Sequence, residues 1–265
     1  MDHVTIDGLT LAYRTAGAGR PLVLLHGAIS DGREWRPQME DLSDAFLVVA
    51  WDAPGCGGSS DPPETFRLGD YADCLAGFIR ALELDRPHVL GLSFGAGLAL
   101  ALYGRQPSLP ASLVLASAYA GWGGSLPPEE VQQRLRGVLR QTEKPAAELV
   151  AKFLPTLFAG AVSDQTVEEI STIMSEFHPA GARVMARSFA EADLRHVLPH
   201  VEVPTLLLHG ERDERAPRAV ADALHAGIRG SRLVVIPDAG HQINMEAPAR
   251  FNSEVRAFLR SVDGR

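Results

Sequence analysis

The stretch Pro87-His88-Val89-Leu90-Gly91-Leu92-Ser93-Phe94-Gly95-Ala96-Gly97, continued by the apolar run 98–103, carries the reading of the whole chain. It predicts a buried strand over 88–92, a tight turn centred on Ser93, and a helix ending near residues 105–107. Gly91-Leu92-Ser93-Phe94-Gly95 fits G-x-S-x-G, the pattern of a strand that turns directly into a helix and presents a nucleophile at the turn. Glycines two residues either side of Ser93 remove the Cβ atoms that would collide there, and let the serine hold a strained backbone with its hydroxyl projecting outward. That hydroxyl then sits at a helix N-terminus, where unpaired N–H groups favour developing negative charge. A serine that merely caps a helix would look the same over this short stretch, so the flanking sequence decides.

Upstream, Pro21-Leu22-Val23-Leu24-Leu25 is continuously apolar, as in a strand covered on both faces, and ends in His26-Gly27-Ala28-Ile29. A helix over 34–42, a strand over 46–51 ending in Asp52, and a helix over 68–84 lead to the Ser93 strand. Downstream, a short strand over 113–116 ends at Ser117. Strands alternating with helices in this rhythm mean parallel βαβ units, hence an α/β fold class with a doubly wound sheet. An antiparallel start is expected at the N-terminus, where Asp7-Gly8 separates two alternating segments as a hairpin turn. Ligands of such sheets bind at the carboxyl ends of the strands, where His26, Asp52, Ser93 and Ser117 all fall.

The rhythm stops between 119 and 198. Segments 128–141, 145–154, 164–177 and 180–190 read as helices separated by Gly and Pro, an insertion expected to stand over the carboxyl edge as a helical cap that walls a site and excludes water. Alternation then resumes: a strand over 204–209 ending in Gly210-Glu211-Arg212-Asp213, a helix over 217–226, a strand over 232–237 ending in Asp238-Ala239-Gly240-His241, and an amphipathic helix over 247–262. The expected architecture is a mostly parallel sheet of about eight strands, with residues 1–118 and 199–265 as the core and 119–198 as the cap.

Composition narrows the function. Hydrophobic residues make up 46% and charged residues 22%, and the formal net charge of -8 comes without a Lys/Arg cluster, which argues against nucleic acid as a partner. Residues 1–8 show no leader pattern, and no apolar run approaches the roughly 20 residues needed to cross a bilayer; no membrane association is expected. Cys56 and Cys74 lack metal-ligand spacing and are too few for a disulfide framework, which suits a cytoplasmic protein with inert, buried thiols. No metal or organic cofactor is implied. The partner expected is a small-molecule substrate, and a homodimer is compatible with the sequence.

Three strand ends supply, in chain order, Ser93, Asp213 and His241. A serine hydroxyl attacks a carbonyl only when a base takes its proton, and the base needs a third group to fix its tautomer and stabilise the imidazolium. Each has a rival reading. Asp213 could simply pair with Arg212 or Arg215, Glu211 and Glu214 flank it, and His26 competes as the base, although a structural role holding its own loop is expected for His26. The oxyanion donors expected are the N–H groups of Phe94, directly after the nucleophile, and of Ala28, beside Gly27. Ile29, Trp122 and Ile243 are expected in the substrate pocket, with Tyr119, Phe153, Phe158 and Phe177 as further wall residues. Arg183 or Arg187 could anchor a carboxylated substrate, against solvated helix-face positions.

His26-Gly27, Asp52-x-x-Gly55-x-Gly57-x-Ser59, the Ser93 motif, Gly210-x-x-Asp213 and Gly240-His241-x4-Glu246-x-Pro248 together resemble the α/β-hydrolase superfamily over both flanks of the chain. The order Ser, Asp, His agrees with that fold. Asp70-Tyr71-Ala72-Asp73 and residues 84–95 are similar to enol-lactone hydrolases and small carboxylesterases within it. The resemblance implies a structural role for 51–60, so Asp52 stays outside the site. Haloalkane dehalogenases and epoxide hydrolases of this fold carry an aspartate at the position of Ser93. The expectation is a serine hydrolase of a small, largely apolar carboxylic ester or lactone. The alternatives are carbon–carbon bond hydrolysis of ring-fission products, cofactor-free perhydrolysis, hydroxynitrile lyase chemistry, or a non-catalytic ligand sensor.

Overall fold

The computed structural model describes residues 1–264. The hairpin forms as the sequence predicts: β1 (Asp2–Ile6) pairs antiparallel with β2 (Leu9–Ala16), and Asp7 and Gly8 both take positive φ, at 48° and 84°. Those are the backbone angles that a two-residue turn matching strand twist demands. The parallel part follows: β3 (Arg20–Leu25), β4 (Phe46–Trp51), β5 (His88–Leu92), β6 (Ser112–Ala116), β7 (Thr205–Gly210) and β8 (Arg232–Ile236). The eight-stranded sheet has the order β1-β2-β4-β3-β5-β6-β7-β8, with β2 antiparallel to both neighbours and every later pairing parallel.

Both faces of the sheet are covered. Helices α2 (Leu68–Ala81), α3 (Phe94–Arg105) and α8 (Arg218–Gly227) pack on one face, where Val23, Val89, Leu113 and Leu207 meet Phe78, Leu98 and Leu224. On the other face, α1 (Arg36–Leu42) and α10 (Pro248–Asp263) close over Leu24, Leu90, Val114 and Leu208 with Leu42, Phe251 and Val255. This is why the central strands β5, β6 and β7 read as unbroken apolar runs: all their residues are buried, and neither face meets water. Each fully buried leucine or valine contributes about 1.5–3 kcal/mol, so the middle of the sheet is the rigid part of the molecule.

Between β6 and β7 lie α4 (Pro128–Gln141), α5 (Ala146–Phe153), α6 (Asp164–Ser175) and α7 (Pro179–Glu191). They touch the loops that leave the carboxyl ends of the strands. Gly181 meets Gly55 so closely that a Cβ on either would lie 2.5 Å from the other's Cα, Gln242 N–H donates to Leu157 O at 2.9 Å, and Glu246 Oε1 accepts from Ala159 and Gly160 N–H at 2.9 and 2.7 Å.

Three of the differences between element ends and the sequence pattern have a clear local reason. Helix α2 stops at Ala81, because Glu83 and Arg86 both turn to positive φ. The segment expected to be helical from residue 34 begins as a 3-10 turn, Gly32–Trp35, before α1. The last helix is preceded by a separate turn, α9 (Ile243–Glu246), because Pro248 cannot donate to a continuous ladder and restarts the helix as α10.

Candidate active site

Ser93 sits between β5 and α3 with φ 53° and ψ -109°, a strained conformation for a residue with a side chain. The neighbouring glycines explain how the chain reaches it. A Cβ on Gly91 would lie 2.2 Å from the Gly95 carbonyl carbon, and one on Gly95 would lie 2.1 Å from Leu25 O. The turn therefore packs backbone on backbone and presses the start of α3 against the end of β3.

His241 Nδ1 and Asp213 Oδ2 are 2.8 Å apart, both residues buried. Asp213 Oδ1 accepts from the Arg215 and Ala216 N–H groups, each at 2.8 Å. Burial alone would raise the Asp213 pKa. The charge and hydrogen bond of His241, with those two N–H donors, outweigh it and hold the carboxyl below the usual range. The rivals are occupied elsewhere: Arg212 pairs with Asp238 at 2.5 Å, Glu211 accepts from Asp238 N–H, and Glu214 is exposed.

The tie between His241 and Ser93 runs through β6. Ser93 N–H donates to Ala116 O at 2.9 Å, and Ser117 Oγ donates to His241 O at 2.8 Å. Adjacent residues of one strand end thus hold the serine and the histidine. Ser117, itself at φ 46°, is visible in the sequence only as a residue at a strand end. With Nδ1 engaged by Asp213, Nε2 is the free nitrogen, and it makes no hydrogen bond among the described residues; the same holds for Ser93 Oγ. Hydrogen bonds between nucleophile and base are often long in unliganded enzymes and tighten in the reacting complex.

Phe94 and Ala28 N–H groups have no acceptor among the described residues. Ala28 is exposed and precedes Ile29, which holds φ 59°, a costly conformation for a β-branched side chain. Nothing in the sequence around Ile29 announces that strain. His26 is structural: its Nδ1 lies 2.7 Å from Gly27 O and its Nε2 accepts from Ala53 N–H at 2.9 Å. Those two bonds require the neutral tautomer with the proton on Nδ1. Asp52 is fully buried and accepts from Gly32 N–H, Arg14 and Gly58 N–H, bracing the loop after β4.

The expected pocket residues part company. Ile29 packs partly buried against both the core and the α5–α6 cluster, and lines a constriction with Cys56, Ile173 and Phe177. Trp122 stacks edge-on against Phe189 at 5.7 Å, in an aromatic chain that continues from Phe189 to Phe94 at 5.3 Å. It also lines a cavity of about 380 Å³ with Arg134, Phe153 and Arg215. Tyr119 lies between this cavity and the site, its ring 6.5 Å from that of His241 and its hydroxyl held by Arg215 O and Arg134. Ile243 is a correction. It is fully buried in the cluster beneath the sheet with Leu208, Ile236 and Phe251, because α9 turns it away from the carboxyl edge into the core. A larger cavity of about 810 Å³ lies at the far end of α3 from Ser93, beside Tyr103 and Arg105.

Burial pushes the Cys74 thiol up to about 12 and raises that of Cys56 as well, with nearby carboxylates adding to the effect. Neither is a nucleophile. Among the described residues no group of three or more His, Cys, Asp or Glu side chains is arranged to hold a metal ion, and no helix is long and apolar enough to cross a membrane.

A parallel sheet with a strained serine after β5, an aspartate after β7 and a histidine after β8 defines a class, and comparison with known proteins places the chain in it. Residues 20–248 match the sequence profile of the alpha/beta hydrolase fold, and the chain belongs to that family. It is 30% identical to mouse (Mus musculus) serine hydrolase BPHL over 97% of this chain and 85% of that protein. Among solved structures it is similar to a thermophilic esterase from Thermogutta terrifontis, with TM-score 0.91, 30% identity and 99% of both chains covered. It is also similar to the enol-lactonase from Burkholderia xenovorans LB400, with TM-score 0.88 and 27% identity over 98% of this chain and all of that one.

Proposed function

We propose that this hydrolase cleaves a small, largely apolar carboxylic ester or lactone through Ser93, His241 and Asp213. The observation that carries the reading is the 2.8 Å His241–Asp213 hydrogen bond, buried at the strand ends, with Ser117 holding the histidine beside the residue that holds Ser93. Ser93 Oγ gives its proton to His241 Nε2 and attacks the carbonyl carbon. The oxyanion is met by Phe94 and Ala28 N–H, aided by the N-terminal end of α3. His241 then returns the proton to the leaving alkoxide, and in a second half-reaction takes one from water to release the acid and regenerate Ser93. Asp213 stays ionised throughout and orients the ring. No step calls for a cofactor.

The rings of Phe94, Phe189, Tyr119 and Trp122 pack on one another beside His241, an apolar setting that favours an apolar acyl group, and the relatives that act on esters and an enol-lactone agree with that class. We infer that residues 119–198 act as the cap over this site, and that the protein works in the cytoplasm, where its two buried cysteines stay reduced. The test is hydrolysis of p-nitrophenyl esters of graded chain length and of simple lactones by the wild type and by Ser93→Ala. The variant is expected to fold and to lose at least about 10³-fold in kcat. A Ser93→Ala protein that hydrolyses these esters at the wild-type rate refutes the reading. Activity confined to carbon–carbon cleavage of a ring-fission product would move the substrate class and keep the site.

A further inference from the structure

We propose that Glu34 is a positioning residue of this site, a buried carboxyl that clamps the loop bearing the Ala28 donor to the loop bearing His241 and so sets turnover rather than substrate affinity. The role rests on the reading of Ser93, His241 and Asp213 as the reacting groups.

The site is assembled from distant parts of the chain. The loop after β3 carries Ala28, and the loop after β8 carries His241. Glu34, in the 3-10 turn Gly32–Trp35, is fully buried and bonds to both. Its Oε1 accepts from Gly27 N–H at 3.0 Å, its Oε2 accepts from Gln242 Nε2 at 3.2 Å, and its own carbonyl accepts from Asn244 Nδ2 at 3.1 Å. One residue therefore holds the peptide just before Ala28 and the side chain just after His241.

The geometry of the peptide unit makes the first contact matter. Gly27 C=O and Ala28 N–H belong to one planar trans unit and point in opposite directions. His26 Nδ1–H takes the carbonyl at 2.7 Å, and Glu34 takes the N–H of the preceding unit. With both held, the direction of Ala28 N–H is determined. The positive φ of Ile29, the next residue, is a strain that persists only where surrounding bonds impose it.

A carboxyl is a poor choice as mere packing. Glu34 has no cationic partner among the described residues, and burial pushes its pKa up against the hydrogen bonds from Gly27 and Gln242. An apolar side chain of similar volume would be easier to bury. What the carboxyl supplies is two acceptors, one for each loop.

The test compares wild type, Glu34→Gln and the exchange variant Glu34→Gln/Gln242→Glu. In Glu34→Gln the amide oxygen still accepts from Gly27 N–H, but the Gln242 Nε2–H donor loses its acceptor, and the Gln242 amide must turn over beside His241 to meet the new NH2. A kcat about 10- to 100-fold lower, with KM within about threefold, is expected. The exchange variant restores donor to acceptor and should regain at least about tenfold of the loss; packing alone predicts no such rescue. The rate at which a fluorophosphonate probe labels Ser93 should follow the same order and requires no favoured ester. Should Glu34→Gln fail to fold, Gln242→Met removes the donor at the other end and is expected to show the same loss. Labelling of the wild type with Glu34→Gln reacting equally fast overturns the clamp, and so does a slowed Glu34→Gln that the exchange does not rescue. A wild type that the probe does not label overturns the serine reading, and the clamp with it.

Discussion

Gly95→Ala adds one methyl group at the junction that the fold turns on. The new Cβ would lie 2.1 Å from Leu25 O, 2.6 Å from Leu25 C and 2.8 Å from His26 O. All three are backbone atoms at the end of a central strand, so no side chain can swing aside. Non-bonded carbon contacts settle near 3.5 Å, so the end of β3 and the start of α3 would have to part by more than about 1 Å. Overpacking of a well-filled core costs about 1–3 kcal/mol, and the upper end applies where only backbone can yield. The same displacement carries the Ala28 loop away from Ser93, and a 1 Å misplacement of reacting groups costs about 10²-fold in rate. Urea unfolding followed by circular dichroism, with ester turnover measured below the transition, reads both effects. Gly137→Ala is the matched control: in the middle of α4, its nearest neighbour would be Lys152 Nζ at 3.9 Å, and a gain of about 0.5–1 kcal/mol is expected. A Gly95→Ala protein within about 0.5 kcal/mol of wild type and fully active would refute the close-approach argument.

Asp213→Asn should leave the fold in place and lower kcat by about 10³- to 10⁴-fold, since an amide can fix the wrong tautomer of His241; retention of a tenth of the wild-type kcat would contradict it. His209, on β7, is buried with neither ring nitrogen hydrogen bonded among the described residues, and burial lowers its pKa. A histidine whose folded pKa is depressed contributes stability that is present above its unfolded value near 6.5 and is lost as pH falls towards the folded value, because the unfolded chain binds the extra proton. His209→Leu should therefore lose less stability than wild type between about pH 7 and 5. Equal losses in urea midpoints at the two pH values would show that His209 does not titrate against the fold.

The parts of the molecule that were legible in the sequence are those fixed by local chemistry. Asp7-Gly8 can close a hairpin because both positions tolerate positive φ, and Gly91 and Gly95 mark the turn at Ser93 because only a missing Cβ fits there. The unbroken apolar runs of β3, β5 and β7 follow from a sheet covered on both sides. The parts that were not legible depend on partners far away in the chain. Ser117 reads as one more strand-end serine until the fold brings it to His241 O, 124 residues on. Glu34 reads as a helix-start acid until Gln242 arrives from 208 residues away. Ile243 sits two residues after His241 and so invites a place in the pocket, but the separate turn α9 rotates it into the core. Neither that separate turn nor its consequence for Ile243 is read from the sequence, where Pro248 falls inside the expected helix over 247–262.

The proposed mechanism requires Ser93 to carry the acyl group during turnover. Rapid acid quench of the wild type with p-nitrophenyl acetate, followed by digestion and mass spectrometry, tests it directly. An acetyl adduct is expected on the peptide containing Ser93, formed in step with the burst of p-nitrophenol and absent from Ser93→Ala. Steady release of p-nitrophenol with an adduct on another residue, or with no adduct and no burst on the Ser93 peptide while Ser93→Ala stays active, would contradict it.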